Sequence, residues 1–339
     1  MQWEGFMLRL SGILSAIAAL VLVSCSGTGS DPVQVVGAQA AAKAELFDTH
    51  GHFYSDDFAK FPLTGSGLYA GVERIQRRAS EHPRTPENTL PLWDANNITG
   101  GSGVQYFTAY GYDNSFTLYA ADYDPARISG VIILNARDPN TPAELRRLAT
   151  EHNVKGLRIT GFADEDGGFG WLDSDAALQT WQATSDVGVA MVVMLGRTQD
   201  PAEGARRIGA LAAKFPEIAI VLDHVGQPPV EGAPDFGISK SFAALAEHPN
   251  VFYKFTQINI ERLREGGVSP EQFVRHIVDL FGADQVMWGS DFGNTEGELS
   301  AMVNDAIAAT SLLTPEEQQK ALHDTGYRIF SRSGRGAAE

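Results

Sequence analysis

Cysteine is nearly absent from this chain of 339 residues, which contains only Cys25. A single cysteine cannot form an internal disulfide, so the fold has to rest on an apolar core. Positive charge is also scarce, because 26 lysines and arginines stand against 42 acidic residues and the net charge is −16. Such a balance repels phosphates, which argues against nucleic acid or anionic lipid as a partner.

A long apolar run is missing as well. The run from Gly12 to Val23 is too short to span a bilayer and is followed by small polar residues, as in an export signal. It ends in Leu22-Val23-Ser24-Cys25, which resembles the bacterial lipobox, where the cysteine becomes the lipidated first residue. An ordinary cleaved signal peptide is the alternative interpretation.

The lipobox interpretation divides the N-terminal part of the chain. We expect a lipoprotein signal peptide over residues 1–24 and a flexible tether, rich in Gly, Ser and Ala, over 25–44. Cys25 would carry the lipid anchor and be the only contact with a membrane. By resemblance to Gram-negative sorting, Ser26 after the cysteine predicts the outer membrane, facing the periplasm.

A glycine-rich phosphate loop is not found after the first apolar run, which argues against an open doubly wound sheet. Apolar runs alternate instead with helix-like segments. Eight of them look like parallel strands buried on both faces: 45–53, 104–109, 128–135, 154–160, 187–195, 218–225, 251–256 and 286–291.

Eight strands with helical crossovers predict an α/β fold, a (β/α)₈ TIM barrel over 45–332, with a disordered tail over 333–339. The polar, proline-containing stretch after strand 1 is predicted to be an insertion. Gly100-Gly101-Ser102-Gly103 is predicted to be a turn before strand 2, because it does not open a helix.

Histidines and a carboxylate stand at the ends of three predicted strands. His50 and His52 end the first, His224 ends the sixth and Asp291 ends the eighth. Barrel enzymes carry their active sites at these carboxyl ends, so the four side chains are expected to meet. Imidazoles with a carboxylate suit zinc binding or general base catalysis on water.

Three segments around these residues resemble the amidohydrolase superfamily. They are Asp48-Thr49-His50-Gly51-His52, Leu222-Asp223-His224-Val225-Gly226-Gln227-Pro228 and Trp288-Gly289-Ser290-Asp291. Within the superfamily, the chain resembles most the lactonase-type branch with 2-pyrone-4,6-dicarboxylate hydrolase and L-fuconolactonase. Further likeness lies in Tyr110-Gly111-Tyr112-Asp113-Asn114, Val154-Lys155-Gly156-Leu157-Arg158 and Asn250-Val251-Phe252-Tyr253-Lys254.

The resemblance implies roles for the four strand-end residues. Asp291 would be the base on the attacking water, and His224 would polarise the carbonyl or orient that water. His50 and His52 would either ligate one divalent metal, zinc, together with Asp291, or bind the substrate directly. The predicted strand five carries no histidine, unlike the zinc-dependent decarboxylases, so metal-assisted and metal-independent catalysis both stay open.

Four further residues are predicted to bind the substrate. Arg158 could hold a substrate carboxylate in two-point fashion, or form an ion pair with a neighbouring acid. Tyr112, Asn114 and Lys254 are weaker candidates, and Lys254 could equally belong to a buried structural pair.

These observations favour an exported hydrolase that opens a lactone or similar cyclic ester with activated water. Its partner would be a small molecule carrying a carboxylate or a lactone. The alternatives are a zinc-dependent decarboxylase of an aromatic or enoic acid, and a non-catalytic barrel that acts as a surface binding protein.

Overall fold

Eight short segments form strands, and each pairs in parallel with the next one in sequence. The computed structural model describes residues 44–67, 71–161, 169–196 and 202–331. Its strands are β1 (Leu46–Gly51), β2 (Ile98–Val104), β3 (Ile128–Ile133), β4 (Val154–Gly161), β5 (Ala190–Leu195), β6 (Ile220–Leu222), β7 (Val251–Thr256) and β8 (Val286–Gly289). The predicted (β/α)₈ barrel is confirmed.

Close packing of β8 against β1 brings the first and last strands together. The backbone N–H of Asp291 donates to the carbonyl of His50 at 2.7 Å, and Thr49 Oγ1 donates to the Trp288 carbonyl at 2.5 Å. Gly289 makes this approach feasible, because a Cβ there would lie 2.5 Å from the Cβ of His50. The sheet is therefore nearly closed, with β1 and β8 side by side.

Helices alternate with the strands around the barrel. Their bounds are α1 (Val72–Glu81), α2 (Pro86–Ala95), α3 (Phe107–Tyr110), α4 (Ser115–Tyr123), α5 (Thr141–Glu151), α6 (Asp175–Val187), α7 (Ala202–Lys214), α8 (Lys240–Ala243), α9 (Gln257–Glu265), α10 (Pro270–Phe281), α11 (Leu299–Ala309), α12 (Pro315–Gln319) and α13 (Thr325–Phe330). The predicted insertion contains α1 and α2. In the described part of the chain, no helix has the length and apolar character needed to cross a bilayer.

The second strand differs from its prediction. The expected strand was 104–109 and the expected turn was 100–103, but β2 runs from Ile98 to Val104 and includes those glycines. Gly101 explains why, since a Cβ at this position would lie 2.2 Å from the backbone oxygen of Asp48 on β1. The glycines allow a close approach between strands, which an apolar pattern does not report.

An apolar floor fills the lower part of the barrel. It consists of Phe47, Val104, Val131, Ala190, Val192, Val221, Phe252, Met287 and Phe330. Phe252 of β7 belongs to this floor. Every second side chain of a strand points to the same face, so Lys254 and then Thr256 lie above Phe252 in the interior of the barrel. The interior therefore changes from apolar at the floor to charged and polar at the mouth.

The predicted signal peptide (1–24), the anchor at Cys25 and most of the tether (25–44) lie outside the described residues, as does the tail (333–339). These expectations stay predictions.

Candidate active site

β1 delivers two histidines to the mouth of the barrel. His50 is in β1 and His52 directly follows it, and both side chains are buried. Their ring centroids lie 5.0 Å apart with an interplanar angle of 79°. Residues two apart on an extended chain point to the same side, which explains this pairing.

Asp291 reaches the same place from the loop after β8. Its Oδ1 atom lies 3.5 Å from His50 Nε2 and 3.4 Å from His52 Nε2. Its Oδ2 atom accepts hydrogen bonds from Asn294 Nδ2 at 2.9 Å and from Thr295 Oγ1 at 2.6 Å. One carboxylate oxygen is thus held by its own loop, and the other faces the imidazoles.

His224 completes the cluster from the turn after β6. Four successive residues have positive φ: 54° at His224, 54° at Val225, 67° at Gly226 and 57° at Gln227. For residues other than glycine this left-handed backbone costs roughly 1–2 kcal/mol each, so the surroundings have to hold it. The turn places the His224 ring centroid 5.0 Å from that of His50.

Charged side chains lie directly beneath the mouth. Asp223 pairs with Lys254 Nζ at 3.0 Å and with Arg158 Nε at 2.7 Å, and its Oδ1 is 3.3 Å from His50 Nδ1. Burial opposes ionisation of Asp223, but the charges of Lys254 and Arg158 outweigh burial and hold its pKa well below the ordinary value. This carboxylate is therefore ionised, and the cations of Lys254 and Arg158 balance its negative charge.

Burial keeps two of the histidines neutral. It lowers the pKa of His50 well below its ordinary value, and it lowers the pKa of His224 to about 4. For Asp291, burial opposes ionisation, but the contact with His52 and the neighbouring imidazoles overcome it, so the pKa of this carboxyl lies below its ordinary value. An ionised carboxylate therefore lies beside the neutral rings of His50 and His224.

Polar atoms at the mouth of the barrel lack partners. His52 Nδ1 lies 2.9 Å from the carbonyl oxygen of Val104, which only accepts, so Nδ1 carries a hydrogen. The other ring nitrogen, Nε2, faces Asp291 Oδ1 at 3.4 Å. Among the described residues, neither His50 Nε2 nor Asp291 Oδ1 has a hydrogen-bond partner, although both are buried. A buried ring nitrogen and a carboxylate oxygen at such distances are satisfied when a proton or a cation lies between them.

The donor set fits a divalent cation. One ligand atom each from His50, His224 and Asp291 lies within 4.8 Å of the other two. In tetrahedral zinc sites with bonds of ~2.0–2.1 Å, neighbouring ligand atoms lie roughly 3.3 Å apart. The separations of 3.5 Å and 3.4 Å between Asp291 Oδ1 and the two Nε2 atoms are close to this value. The buried, unpaired atoms are of the type that such an ion binds.

Two of the predicted substrate contacts belong to the charged layer. Lys254 is fully buried and pairs with Asp223, and Arg158, 5% exposed, pairs with the same carboxylate. Arg158 Nη2 also contacts Met194 Sδ at 2.6 Å. The alternative of an ion pair with a neighbouring acid describes what the structure shows for both. Substrate contact by either residue stays a prediction.

The other two predicted contacts lie on the segment after β2. Asn114 joins its own segment to the end of β3. Its Nδ2 donates to the carbonyls of Tyr112 at 3.0 Å and Ile133 at 2.9 Å, and its Oδ1 accepts from the Ile133 N–H. Both amide hydrogens are used, so none is left for a ligand. Tyr112 is half exposed and lines a cavity of ≈ 400 Å³ beside the ends of β3 and β4, together with Trp171. Tyr112 is therefore the better placed of the two to touch a substrate.

Several residues of the site were not predicted. Asp223 stands next to His224 in the sequence, but its role depends on cations from β4 and β7. Thr295 contacts Asp291, and Thr256 and Asn259 hold His224. The spacing Thr256-x-x-Asn259 is that of a capping box, a signal that was available in the sequence.

Known proteins place this chain in a family. Its sequence matches the family model described as Amidohydrolase over residues 47–332. The chain belongs to the amidohydrolase family. This amidohydrolase is 28% identical to an L-fucono-1,5-lactonase of Burkholderia ambifaria over 174 residues, which are 49% of this chain and 55% of that lactonase. The chain spans about half the length, or less, of the curated relatives it matches.

Solved structures show the same fold. A Pseudomonas putida protein assigned as a 2-pyrone-4,6-dicarboxylic acid hydrolase is similar with a TM-score of 0.62 and 22% identity, covering 85% of this amidohydrolase and 98% of that chain. A 5-carboxyvanillate decarboxylase of Novosphingobium aromaticivorans, solved with bound manganese, is similar with a TM-score of 0.60 and 15% identity, over 85% and 97% of the two chains. At these identities the likeness shows the (β/α)₈ barrel fold alone.

Proposed function

We propose that this amidohydrolase opens a lactone or similar cyclic ester with water, assisted by one divalent metal ion. The observation that carries the proposal is Asp291 Oδ1, a buried carboxylate oxygen that faces the Nε2 atoms of His50 and His52 without a hydrogen-bond partner among the described residues. The likeness to an L-fucono-1,5-lactonase supports a lactone as the substrate class.

His50, His224 and Asp291 would hold the ion, with His52 beside them. Neutral imidazoles and a carboxylate suit zinc or manganese. When bound, such an ion supplies charge that stabilises a developing negative oxygen and favours ionisation of water. The rest of the chemistry falls to the protein's own side chains.

Asp291 is the proposed proton acceptor. In ring opening, the water oxygen bonds to the ester carbonyl carbon and a water proton passes to the carboxylate of Asp291. The bond between the carbonyl carbon and the ring oxygen then breaks, and the proton passes on to that oxygen, which gives a hydroxy acid. Asn294 and Thr295 keep the carboxylate turned towards the water by binding its Oδ2.

A lactone screen tests this proposal. Sugar lactones and 2-pyrone dicarboxylates are offered to the full chain before and after treatment with a chelator, and the metal content is measured on the same sample. We expect ring opening that falls on chelation and returns with zinc or manganese. His50→Gln should abolish it, and His82→Gln, which changes an exposed histidine elsewhere, should not. No opening of any lactone by metal-replete protein would refute the proposal.

Decarboxylation is the second candidate, because solved decarboxylases share this fold and several of them hold manganese. β5 (Ala190–Leu195) carries no histidine, which is the reason to rank the hydrolase first. Release of CO₂ from a dihydroxybenzoate, without hydrolysis of any lactone, would reverse this order.

We further propose that the chain is lipid-anchored at Cys25 and faces the periplasm from the outer membrane. The lipobox-like Leu22-Val23-Ser24-Cys25 supports this. Labelled palmitate fed to expressing bacteria should enter the wild-type chain and not Cys25→Ala, and the variant should move to the soluble fraction. An unlabelled wild-type chain would contradict the anchor.

A further inference from the structure

The imidazole of His224 is held by residues from the end of β7 and the start of α9. Its Nδ1 atom lies 2.7 Å from Thr256 Oγ1, and both side chains are buried. A hydroxyl can either donate or accept here, so this contact alone does not say which ring nitrogen carries the hydrogen. The answer comes from the next residue in the network, Asn259.

Backbone groups fix the orientation of the Asn259 amide. The N–H of Thr256 can only donate, and it lies 3.0 Å from Asn259 Oδ1. The carbonyl of His224 can only accept, and it lies 3.0 Å from Asn259 Nδ2. A reversed amide would place its NH₂ group against the Thr256 N–H and its oxygen against the His224 carbonyl. The oxygen must therefore face Thr256 and the nitrogen must face His224.

The oriented amide then fixes the hydroxyl of Thr256. Its Oγ1 lies 3.3 Å from Asn259 Oδ1, which only accepts, so the single hydroxyl hydrogen points to the amide. The hydroxyl oxygen is left to accept, from the Asn259 N–H of the capping box and from His224 Nδ1, which lies 2.7 Å away. This arrangement assigns the ring hydrogen to Nδ1.

We propose that Thr256 and Asn259 are positioning residues that lock His224 in the tautomer with hydrogen on Nδ1 and a lone pair on Nε2. The same Asn259 amide holds the carbonyl of His224, which also accepts from the Gln227 N–H at 2.9 Å, and so supports the strained left-handed turn. One pair of residues thus sets both the place and the protonation pattern of this ring.

The lock has a consequence for the reaction, and this step rests on the proposed function. A lone pair on Nε2 can bind a metal ion or accept a hydrogen bond from water, but it cannot donate to a substrate carbonyl. Of the two roles considered for His224, orienting water is then compatible with the structure and polarising the carbonyl by a hydrogen bond is not.

Nitrogen NMR on the metal-free full chain, labelled with ¹⁵N-histidine, tests the tautomer directly. The chain has 8 histidines, and His224→Gln identifies the signals of His224. We expect a pyrrole-type Nδ1 and a pyridine-type Nε2 in the wild type. In Thr256→Val, which keeps the shape and loses the hydroxyl, a mixture of tautomers should appear, and Thr256→Ser should restore the wild-type pattern.

Metal affinity is the second measurement. Thr256→Val should weaken zinc binding by about 10–100-fold, as loss of an outer-shell partner does, and Thr256→Ser should recover most of it. Thr184→Val is the matched control, because Thr184 is also fully buried but donates only to the Thr180 carbonyl within α6. It should leave both the NMR pattern and the affinity unchanged.

Three results would overturn the inference: hydrogen on Nε2 in the wild type, an unchanged tautomer in Thr256→Val, or equal effects of Thr256→Val and Thr184→Val. The wild-type spectrum needs no variant, so a variant that fails to fold does not remove the test. The tautomer is also read without substrate. An absence of lactone turnover would therefore refute the proposed function and leave this inference standing.

Discussion

Two buried carboxylates, Asp223 and Asp291, lie in the same barrel under opposite conditions. Asp223 has two cations, Lys254 at 3.0 Å and Arg158 at 2.7 Å. Asp291 has no lysine or arginine within ion-pair distance among the described residues, and its Oδ1 faces only the imidazoles of His50 and His52. The first charge is balanced by the protein itself, whereas the second is left open towards the mouth.

The difference separates structure from function. A buried charge that is paired holds strands together, and here Asp223 joins β4, β7 and the turn after β6. A buried charge left unpaired is costly and is kept where a ligand or a reaction uses it. The comparison predicts that the two carboxylates fail differently when they are replaced.

The largest effect is expected from Asp291→Asn. The amide has the same shape and can still accept from Asn294 and Thr295, so the fold should survive. The variant loses the proton acceptor and a metal ligand, so turnover of a lactone should fall by about 10³-fold or more. Steady-state kinetics, with circular dichroism to confirm folding, measure this. Turnover by Asp291→Asn within tenfold of the wild type would show that Asp291 has no catalytic role that Asp223 lacks.

Asp223→Asn should mainly reduce stability. It leaves Lys254 and Arg158 buried without their carboxylate, which costs about 3–5 kcal/mol of the free energy of unfolding. Denaturant unfolding measures the loss. Asp305→Asn is the control, since it breaks a partly exposed pair with Arg264 and should cost less than about 1 kcal/mol. If both variants were equally stable, Asp223 would not be the structural charge described here.

A smaller effect is expected at the insertion after β1. Arg78 of α1 donates to the carbonyls of Gly293 at 3.1 Å and Asn294 at 2.9 Å, and so fixes the loop that carries Asp291. Arg78→Gln should let this loop shift and lower turnover by about tenfold, with little change in stability.

Arg74→Gln is the control for the Arg78 prediction. Arg74 shares the partner Glu296 with Arg78, but within the part of the chain that the structure describes it makes no hydrogen bond to the backbone of that loop. Full activity in Arg74→Gln and reduced activity in Arg78→Gln would show that the position of the Asp291 carboxylate depends on Arg78 of α1. Asp291 would then differ further from Asp223. Equal activities would show that the loop holds Asp291 unaided.

The sequence was sufficient for the architecture and for the meeting of His50, His52, His224 and Asp291, because strand ends in a barrel converge whatever the loops do. It failed at β2, where glycines replace apolar residues so that the strand can approach Asp48 closely. It also could not assign Arg158 and Lys254, whose partner Asp223 is set by the register of three strands.

The hydrogen bonds that shape the turn at His224 could not be predicted from the sequence. The left-handed turn at His224 has the valine Val225 at a positive φ, which local preference opposes. Tertiary hydrogen bonds hold that backbone, from Asn259 Nδ2 to the His224 carbonyl and from Gln227 Nε2 to the Leu195 carbonyl. A pattern of residue types carries no information on such contacts between distant elements.

Calorimetric titration of zinc or manganese into the metal-free full chain tests the central claim most directly. We predict one ion bound per chain in the wild type, an affinity lowered by about 100-fold or more in Asp291→Asn, and no change in Asp305→Asn. Absence of binding by the wild type, or equal binding by Asp291→Asn, would contradict the account.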